Sequence, residues 1–356
     1  MSTDELYYAS IDLLKQLIAI PSPSREEKDV ADVIEKYLKK NGMSTYRQGN
    51  NIWCIAEKYD DKKPTLLLNS HIDTVKPVSG WKHDPFTPIE EDGRIYGLGS
   101  NDAGAPLVSL LHSFFYLQSK EQPYNLIFLA SAEEEVSGKN GIESVLDKLP
   151  PVTLAVVGEP TGMQPAIGEK GLMVLDCRVY GKSGHAARNE GDNAIYKALK
   201  VIESLRDFRF PKTSEILGPV KMSVTMIQAG TQHNVIPDRC DFVVDIRTNE
   251  LYRNEEAFEI LQKNIDCEMA PRSFRLNSSR ISTDHPIIVR ASILGLTPFG
   301  SPTLSDQALM PFSSVKIGPG DSRRSHTADE YIETGEIREG IELYIKLLDQ
   351  LNLPTE

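Results

Sequence analysis

Apolar positions along this chain follow two different periods, and the change from one to the other divides it. Leu6, Ile11, Leu14, Leu17 and Ile18 form one helical stripe that Pro21 and Pro23 end, and a second amphipathic helix is expected from about residue 25 to residue 40. Three short apolar runs follow, at residues 65–69, 126–130 and 154–157. They are rich in Leu, Ile, Val and Phe and do not alternate, the pattern of central strands covered on both faces. A helix over residues 106–118, with Leu107, Leu110, Leu111, Phe114 and Leu117 on one side, would supply part of that cover. This part reads as α/β.

Around Gly171 the period shortens. Residues 172–180, 221–228 and 241–247 alternate or nearly so, whereas residues 193–205 and 255–265 repeat at helical spacing, and a further strand is expected near Phe274. The order is that of a two-layer βαββαβ unit with its helices on one face of a small sheet. Buried-strand character returns at residues 314–317, and an amphipathic helix over 337–351 closes the chain. The expected layout is a discontinuous α/β domain, residues 1–171 and 279–356, interrupted by an inserted domain, residues 172–278. Neither an internal repeat nor a low-complexity tract is present.

Composition narrows the function classes. A chain of 356 residues is long enough for two ordinary cores. With 39 Lys and Arg against 51 Asp and Glu the formal charge is −12, which disfavours nucleic acid and anionic membrane surfaces as partners but leaves room for bound cations. The mean hydropathy of −0.31 suits a soluble protein, and no apolar run approaches a membrane span. Cys54, Cys177, Cys240 and Cys267 form no CxxC pair, and Asp4 and Glu5 precede any basic residue. Both features favour a cytoplasmic protein without a signal peptide or thiolate zinc fingers.

The candidate chemistry follows the buried runs. His71-Ile72-Asp73 comes after the first, Glu133-Glu134-Glu135 after the second and Glu159 after the third; Asp102 precedes the 106–118 helix, and His326 follows the 314–317 strand. In an open α/β sheet such strand ends converge on one crevice. Carboxylates with two imidazoles and no thiolate suit a pair of divalent ions, Zn²⁺ before Co²⁺ or Mn²⁺. His71 and Glu159 would hold one ion, Glu135 and His326 the other, and Asp102 would bridge them. Asp73 is placed to accept the second ring N–H of His71. Glu134, beside a ligand but supernumerary, is the candidate general base.

In order, His71-Ile72-Asp73-Thr74-Val75, the segment from Gly97 to Asp102, Glu133-Glu134-Glu135, Gly158-Glu159-Pro160-Thr161, Gly181-Lys182-Ser183-Gly184-His185, Asn234-Val235-Ile236-Pro237 and Gly318-Pro319-Gly320 with His326-Thr327-Ala328-Asp329-Glu330 resemble the zinc aminoacylase and carboxypeptidase family. That family includes acetylornithine deacetylase and succinyl-diaminopimelate desuccinylase. The resemblance implies a co-catalytic di-zinc hydrolase domain with a central mixed sheet flanked by helices, and an inserted dimerisation or lid domain through which a homodimer forms. It assigns His185 to oxyanion stabilisation in the partner subunit's site, and Asn234 and Arg247 to the substrate carboxylate; from the residues alone Arg247 is equally a salt-bridge partner. Lys170 falls where some relatives carry a cation for an acidic acyl group. His83, His112, His233 and His285 match no catalytic motif.

Departures fall at Leu98, at Ala103-Gly104-Ala105 and at Pro302-Thr303-Leu304, where relatives often have Arg, Met-Lys-Gly and Gly-Gly-Thr. The metal and base positions are intact. The expected activity is therefore hydrolysis of the amide of a small N-acyl amino acid, foremost N-acetylornithine in arginine biosynthesis. N-succinyl or N-acetyl derivatives of related amino acids, succinyl-diaminopimelate, and dipeptide or C-terminal peptide substrates are the alternatives. A metal-dependent binding protein that lost catalysis would not need Glu134.

Overall fold

The structure is a computed structural model that describes residues 2–188 and 190–354. The chain forms two compact units, one of residues 1–167, 280–299 and 305–356, the other of residues 168–279 and 300–304.

In the first unit the three apolar runs are neighbours. Strand Thr65–His71 lies parallel to both Asn125–Ser131 and Leu154–Val157, and Ser313–Lys316 continues the parallel set beyond Leu154–Val157. Asn51–Ile55 adds antiparallel to Asn125–Ser131, and Thr45–Gln48 adds to it in turn, which makes the sheet mixed as expected. Every residue of Thr65–His71 and Asn125–Ser131 is buried, the reason neither run alternates. Leu67, Ile127, Leu129 and Ala155 share one face and pack with Trp53, Ile142 and Val145. Phe128 points to the other face, where its ring meets Phe114 at 6.1 Å.

Phe114 belongs to helix Ala105–Gln118, which packs on the sheet beneath helices Thr3–Ile18 and Thr334–Leu348. Its residues are accordingly buried all round, Ser109, His112 and Ser113 included, rather than on the single side expected from its leucines. A helix enclosed by sheet and helices has no solvent face to mark with charge. The second helix begins at Lys28, later than expected, because Arg25 turns at φ 77° and the buried Glu27 carboxylate bonds the Arg25 and Glu133 amides and the Asn50 side chain. Among the described residues no helix is long and apolar enough to cross a membrane.

The second unit is a four-stranded antiparallel sheet in the order Lys221–Ala229, Arg239–Arg247, Met173–Tyr180, Glu268–Pro271. Met173, Leu175 and Cys177 alternate inward with Phe242, Val244 and Ile246. Ala198 and Leu205 of helix Ala194–Asp207 and Ala257 and Leu261 of helix Asn254–Asn264 complete that core. The last strand is Glu268–Pro271; Phe274, where it was expected, lies beyond it in a loop and packs on Phe258 at 5.4 Å.

Candidate metal centre

Parallel pairing puts the carboxyl ends of the central strands on one edge of the first unit. His71 is the last residue of its strand, opposite Ser131, and Glu133 to Glu135 leave the neighbouring strand two residues later. Glu133 itself turns at φ 55° and directs its carboxylate to the Asn140 side chain, 3.0 Å away. That turn separates three consecutive glutamates: the first is structural, whereas Glu134 and Glu135 start a short 3-10 turn inside the cluster.

Asp102 stands between the two imidazoles. Its Oδ1 lies 3.2 Å from His71 Nε2 and its Oδ2 3.7 Å from His326 Nε2. Glu159 Oε1 is 3.8 Å from His71 Nε2, and Glu135 Oε2 is 3.0 Å from His326 Nε2. Ligand atoms of His71, Glu134 and Glu159 lie within 4.8 Å of one another, as do those of His71, Asp102 and Glu135. His326 is half-exposed at 52% side-chain accessibility while His71 is at 1%, so the cluster opens to solvent on the His326 side.

Asp73 holds this arrangement from beneath. The His71 Nδ1–H donates to the Asp73 backbone carbonyl at 2.9 Å, and the carboxylate stands off at 3.6 Å. The ring N–H therefore does go to Asp73, but to its carbonyl. The carboxylate instead accepts the Glu134 and Glu135 backbone N–H groups at 3.0 and 3.1 Å, and the Ser24 hydroxyl at 2.7 Å. One residue thus fixes the His71 tautomer and the turn carrying both glutamates.

The electrostatics are those of crowded negative charge. Burial, reinforced by Glu159, Asp306 and Glu135, pushes Glu134 well above the usual carboxylate range despite His71. Burial and Asp102 raise Glu159 to about 8. Burial opposes the charged form of His71, but its bond to Asp102, the nearby Asp73 carboxylate and the charges of Glu134 and Glu159 outweigh it and hold the ring well above its ordinary value. Hydrogen bonding to Glu135 raises His326 to about 9. Divalent cations among these oxygens would reverse each of these shifts. Imidazole nitrogen and carboxylate oxygen without thiolate are a donor set that Zn²⁺, Co²⁺ and Mn²⁺ accept. The residues therefore fit a metal pair.

Four candidate residues lie in the second unit. His185 is exposed on the short strand Gly184–His185, pairs with Val235, and accepts the Ala187 N–H on Nδ1. Asn234 is exposed beside it, its carbonyl accepting the Ala186 N–H. Arg247 makes a two-pronged ion pair with Asp245 at 2.8 and 3.1 Å, and Lys170 donates to the Pro219 carbonyl at 2.8 Å. Of the departures, Leu98 and Ala103 are buried and line a 20 Å³ cavity behind His71 and Asp73, away from any ligand role. Of the four unassigned histidines, His112 is a core residue bonded to Tyr37 and the Val108 carbonyl, which burial pulls down to about 4.

Two further buried carboxylates escaped sequence reasoning. Asp306 accepts from Asn69 Nδ2 at 2.9 Å and Ser131 Oγ at 2.6 Å, tying the ends of two central strands. Glu330 accepts three backbone N–H groups around Asp102. Asp306 ends the segment that departs at Pro302-Thr303-Leu304, and Glu330 stands inside the quoted His326 motif; in neither place was the burial visible.

A mixed α/β sheet with imidazoles and carboxylates gathered at its carboxyl edge defines a metal-dependent hydrolase. The chain belongs to peptidase family M20/M25/M40, whose model matches residues 67–350. Succinyl-diaminopimelate desuccinylase of Orientia tsutsugamushi (strain Ikeda) is 26% identical over 340 residues, 90% of this chain and 84% of that protein. Acetylornithine deacetylase of Proteus mirabilis is 26% identical over 376 residues, 96% of this chain and 97% of that protein. A tripeptidase from Staphylococcus aureus shares the fold, with TM-score 0.78, 20% identity, and coverage of 96% of this chain and 98% of that one. The chain is accordingly a metal-dependent amidohydrolase.

Metal binding should be proton-linked. At pH 7 Glu159 and His326, raised to about 8 and about 9, hold protons that ligation must expel, so affinity should rise with pH between about 6 and 9. Calorimetric titration of chelator-stripped protein with Zn²⁺ in buffers of different ionisation enthalpy should show proton release and about two ions per chain. Zn²⁺ retention near zero after dialysis would remove the metal assignment.

Proposed function

We propose that this protein hydrolyses the amide of an N-acyl amino acid in the cytoplasm, with N-acetylornithine in arginine biosynthesis as the leading substrate and two divalent ions, foremost Zn²⁺, as cofactors. The observation that carries this reading is Glu134, a half-buried carboxylate inside the donor cluster, next in sequence to the ligand candidate Glu135 and held by its amide to Asp73. The relatives at 26% identity, a desuccinylase and a deacetylase, both carry names for acyl removal from an amino-acid nitrogen.

Ions held by His71 with Glu159 and by Glu135 with His326, sharing Asp102, would supply Lewis-acid polarisation of the substrate carbonyl and acidification of water. Glu134 takes the proton from the attacking water as the oxygen–carbon bond forms, and returns it to the departing nitrogen as the carbon–nitrogen bond breaks. The products are a carboxylic acid and an amine, which at neutral pH separate as carboxylate and ammonium. Asp73 keeps base and ligand at fixed spacing through its two amide bonds.

In this reading His185, lent by a second copy, donates to the developing oxyanion, and Asn234 and Arg247 receive the substrate carboxylate. Lys170 meets an acidic acyl group where one is present. A dimer contact through the second unit is supported by strand Lys221–Ala229, which ends the sheet order and exposes Met226 and Ile227, and by Tyr196 and Leu199, exposed on the adjacent helix. An open strand edge with apolar side chains is a template for pairing with a second copy.

The deciding experiment is a hydrolysis screen over N-acetyl and N-succinyl derivatives of ornithine, citrulline, arginine and diaminopimelate, with dipeptides alongside. Turnover of N-acetylornithine above the others is expected. Preference for succinyl-diaminopimelate or a dipeptide would reassign the substrate, and no hydrolysis of any member would sink the proposal.

Glu134→Ala should lower kcat by roughly 10²–10⁴-fold at near-normal metal content, as loss of a general base does. Glu135→Ala should instead weaken one ion, read by metal analysis after dialysis. Equal metal loss in both variants would overturn the division of roles.

Mixing subunits tests the donated histidine. Glu134→Ala and His185→Ala should each be inactive, but unfolding and refolding them together at equal ratio makes half the dimers mixed. Each mixed dimer holds one intact site, so about a quarter of all sites should recover. A mixture as inactive as its parents, with subunit exchange demonstrated, would show that His185 does not act across the dimer.

A further inference from the structure

Outside the ligand set, Glu330 is a buried carboxyl of the first unit that, like Glu27 and Asp73, collects three hydrogen bonds. It is 2% exposed, and its carboxylate belongs to neither group of ligand atoms gathered around His71. Its Oε2 accepts the Gly99 N–H at 3.0 Å, and its Oε1 accepts the Asn101 and Asp102 N–H groups, both at 2.9 Å. These amides open the turn that precedes helix Ala105–Gln118 and would otherwise be buried donors without acceptors. A carboxylate whose oxygens are occupied by three amides is a brace, not a ligand.

The brace has a second arm. The Asn101 side chain is buried and points the other way along the same loops: its Oδ1 accepts the Asp321 N–H at 2.9 Å, and its Nδ2 donates to the Asp321 carbonyl at 3.1 Å and to Ser325 Oγ at 3.3 Å. His326 follows Ser325 directly and turns at φ 60°. The two arms therefore clip the Asp102 turn to both ends of the segment that carries His326. Pairing of Tyr331 with Tyr96 and of Ile332 with Ile95 anchors Glu330 from behind. A bridging carboxylate must present one oxygen to each side, and Asp102 does so at 3.2 and 3.7 Å from the two imidazoles.

We propose that Glu330, together with Asn101, is a positioning residue that fixes the Asp102 backbone so that its two oxygens face His71 and His326, and thereby sets the affinity of the metal pair. The inference rests on the metal reading above but not on any substrate.

The test is Co²⁺ titration of the chelator-stripped full chain by calorimetry, with melting of the metal-free form recorded for each variant. In Glu330→Gln the amide nitrogen replaces one acceptor and faces a backbone N–H, so Co²⁺ affinity should fall about 10–100-fold, the usual cost of disturbing a group behind a ligand. Asn101→Ala, with Glu330 intact, should lower it in the same range and decides the matter if Glu330→Gln does not fold. Tyr124→Phe is the control for general destabilisation: it removes a buried bond to the Leu348 carbonyl, should lower the melting temperature, and should leave Co²⁺ affinity unchanged. Parent-like affinity in folded Glu330→Gln, or in Asn101→Ala if only that variant folds, would overturn the positioning role. An equal loss in Tyr124→Phe would also overturn it. A parent chain that binds no Co²⁺ would overturn the metal reading as well, which separates the two failures.

Discussion

Mutual repulsion among carboxylates at the carboxyl edge of the sheet's parallel strands is the constraint on which the rest of the first unit depends. Asp73, Asp102, Glu134, Glu135, Glu159 and Asp306 surround a single fully buried imidazole, with His326 at the rim. Two unit charges at 4 Å interact by about 4 kcal/mol at an effective dielectric of about 20, so several such pairs would exceed the stability of an ordinary domain. The protein answers with directed donors. Asp73 receives two amides and a hydroxyl, Asp306 an amide side chain and a hydroxyl, and Glu330 three amides. Glu134, the candidate base, and Glu159, a candidate ligand, are left as carboxyls of the cluster that burial raises, a cost that a divalent cation among them would relieve.

Backbone geometry keeps neighbouring residues in different roles. Glu133, Ser137 and His326 all adopt positive φ, at 55°, 45° and 60°, which costs non-glycine residues roughly 1–3 kcal/mol each. At Glu133 the turn releases the first of three glutamates from the cluster to Asn140 and admits the next two. At His326 it brings an imidazole back toward Glu135 immediately after the loop clipped by Asn101. Hydrogen bonds accepted by Asp73 and made by the Asn101 side chain fix the elements on either side, which is what allows the strained residues to persist.

The sheet and the edge where the imidazoles and carboxylates gather were legible because burial on both faces leaves an uninterrupted apolar run, and because a parallel strand must release its next polar residues on one side. Thr65–His71, Asn125–Ser131 and Leu154–Val157 all follow from that reasoning. Contacts between elements were less legible. The all-round burial of helix Ala105–Gln118 depends on two helices packed above it, and the late start of helix Lys28–Lys40 depends on Glu27 serving amides at residues 25 and 133. Asp73 illustrates the same limit on a smaller scale. Its position two residues after His71 indicated the ring partner, yet only the fold shows that the carbonyl takes the ring while the carboxylate takes the glutamate turn.

Metal chemistry and substrate recognition place unequal demands on sequence, which is why the reaction class is more firmly marked here than the substrate. A pair of metal ions needs particular donor types at close separations, and the candidates for that role, His71, Asp102, Glu135, Glu159 and His326, stand together within one unit. An acyl group or amino-acid side chain needs only a few complementary contacts, and a loop or a salt-bridged side chain can supply them in many ways. The candidates for that task, Lys170, His185, Asn234 and Arg247, lie in the other unit, and three of their side chains already bond locally, to the Pro219 carbonyl, the Ala187 amide and Asp245. To receive a substrate carboxylate, Arg247 would have to trade the two-pronged Asp245 partner for one of the same geometry, an exchange in which the charge-assisted bonds lost and gained nearly balance. Selectivity in such a site comes from the remainder of the ligand, so relatives that share the metal edge can differ in the acyl group they remove.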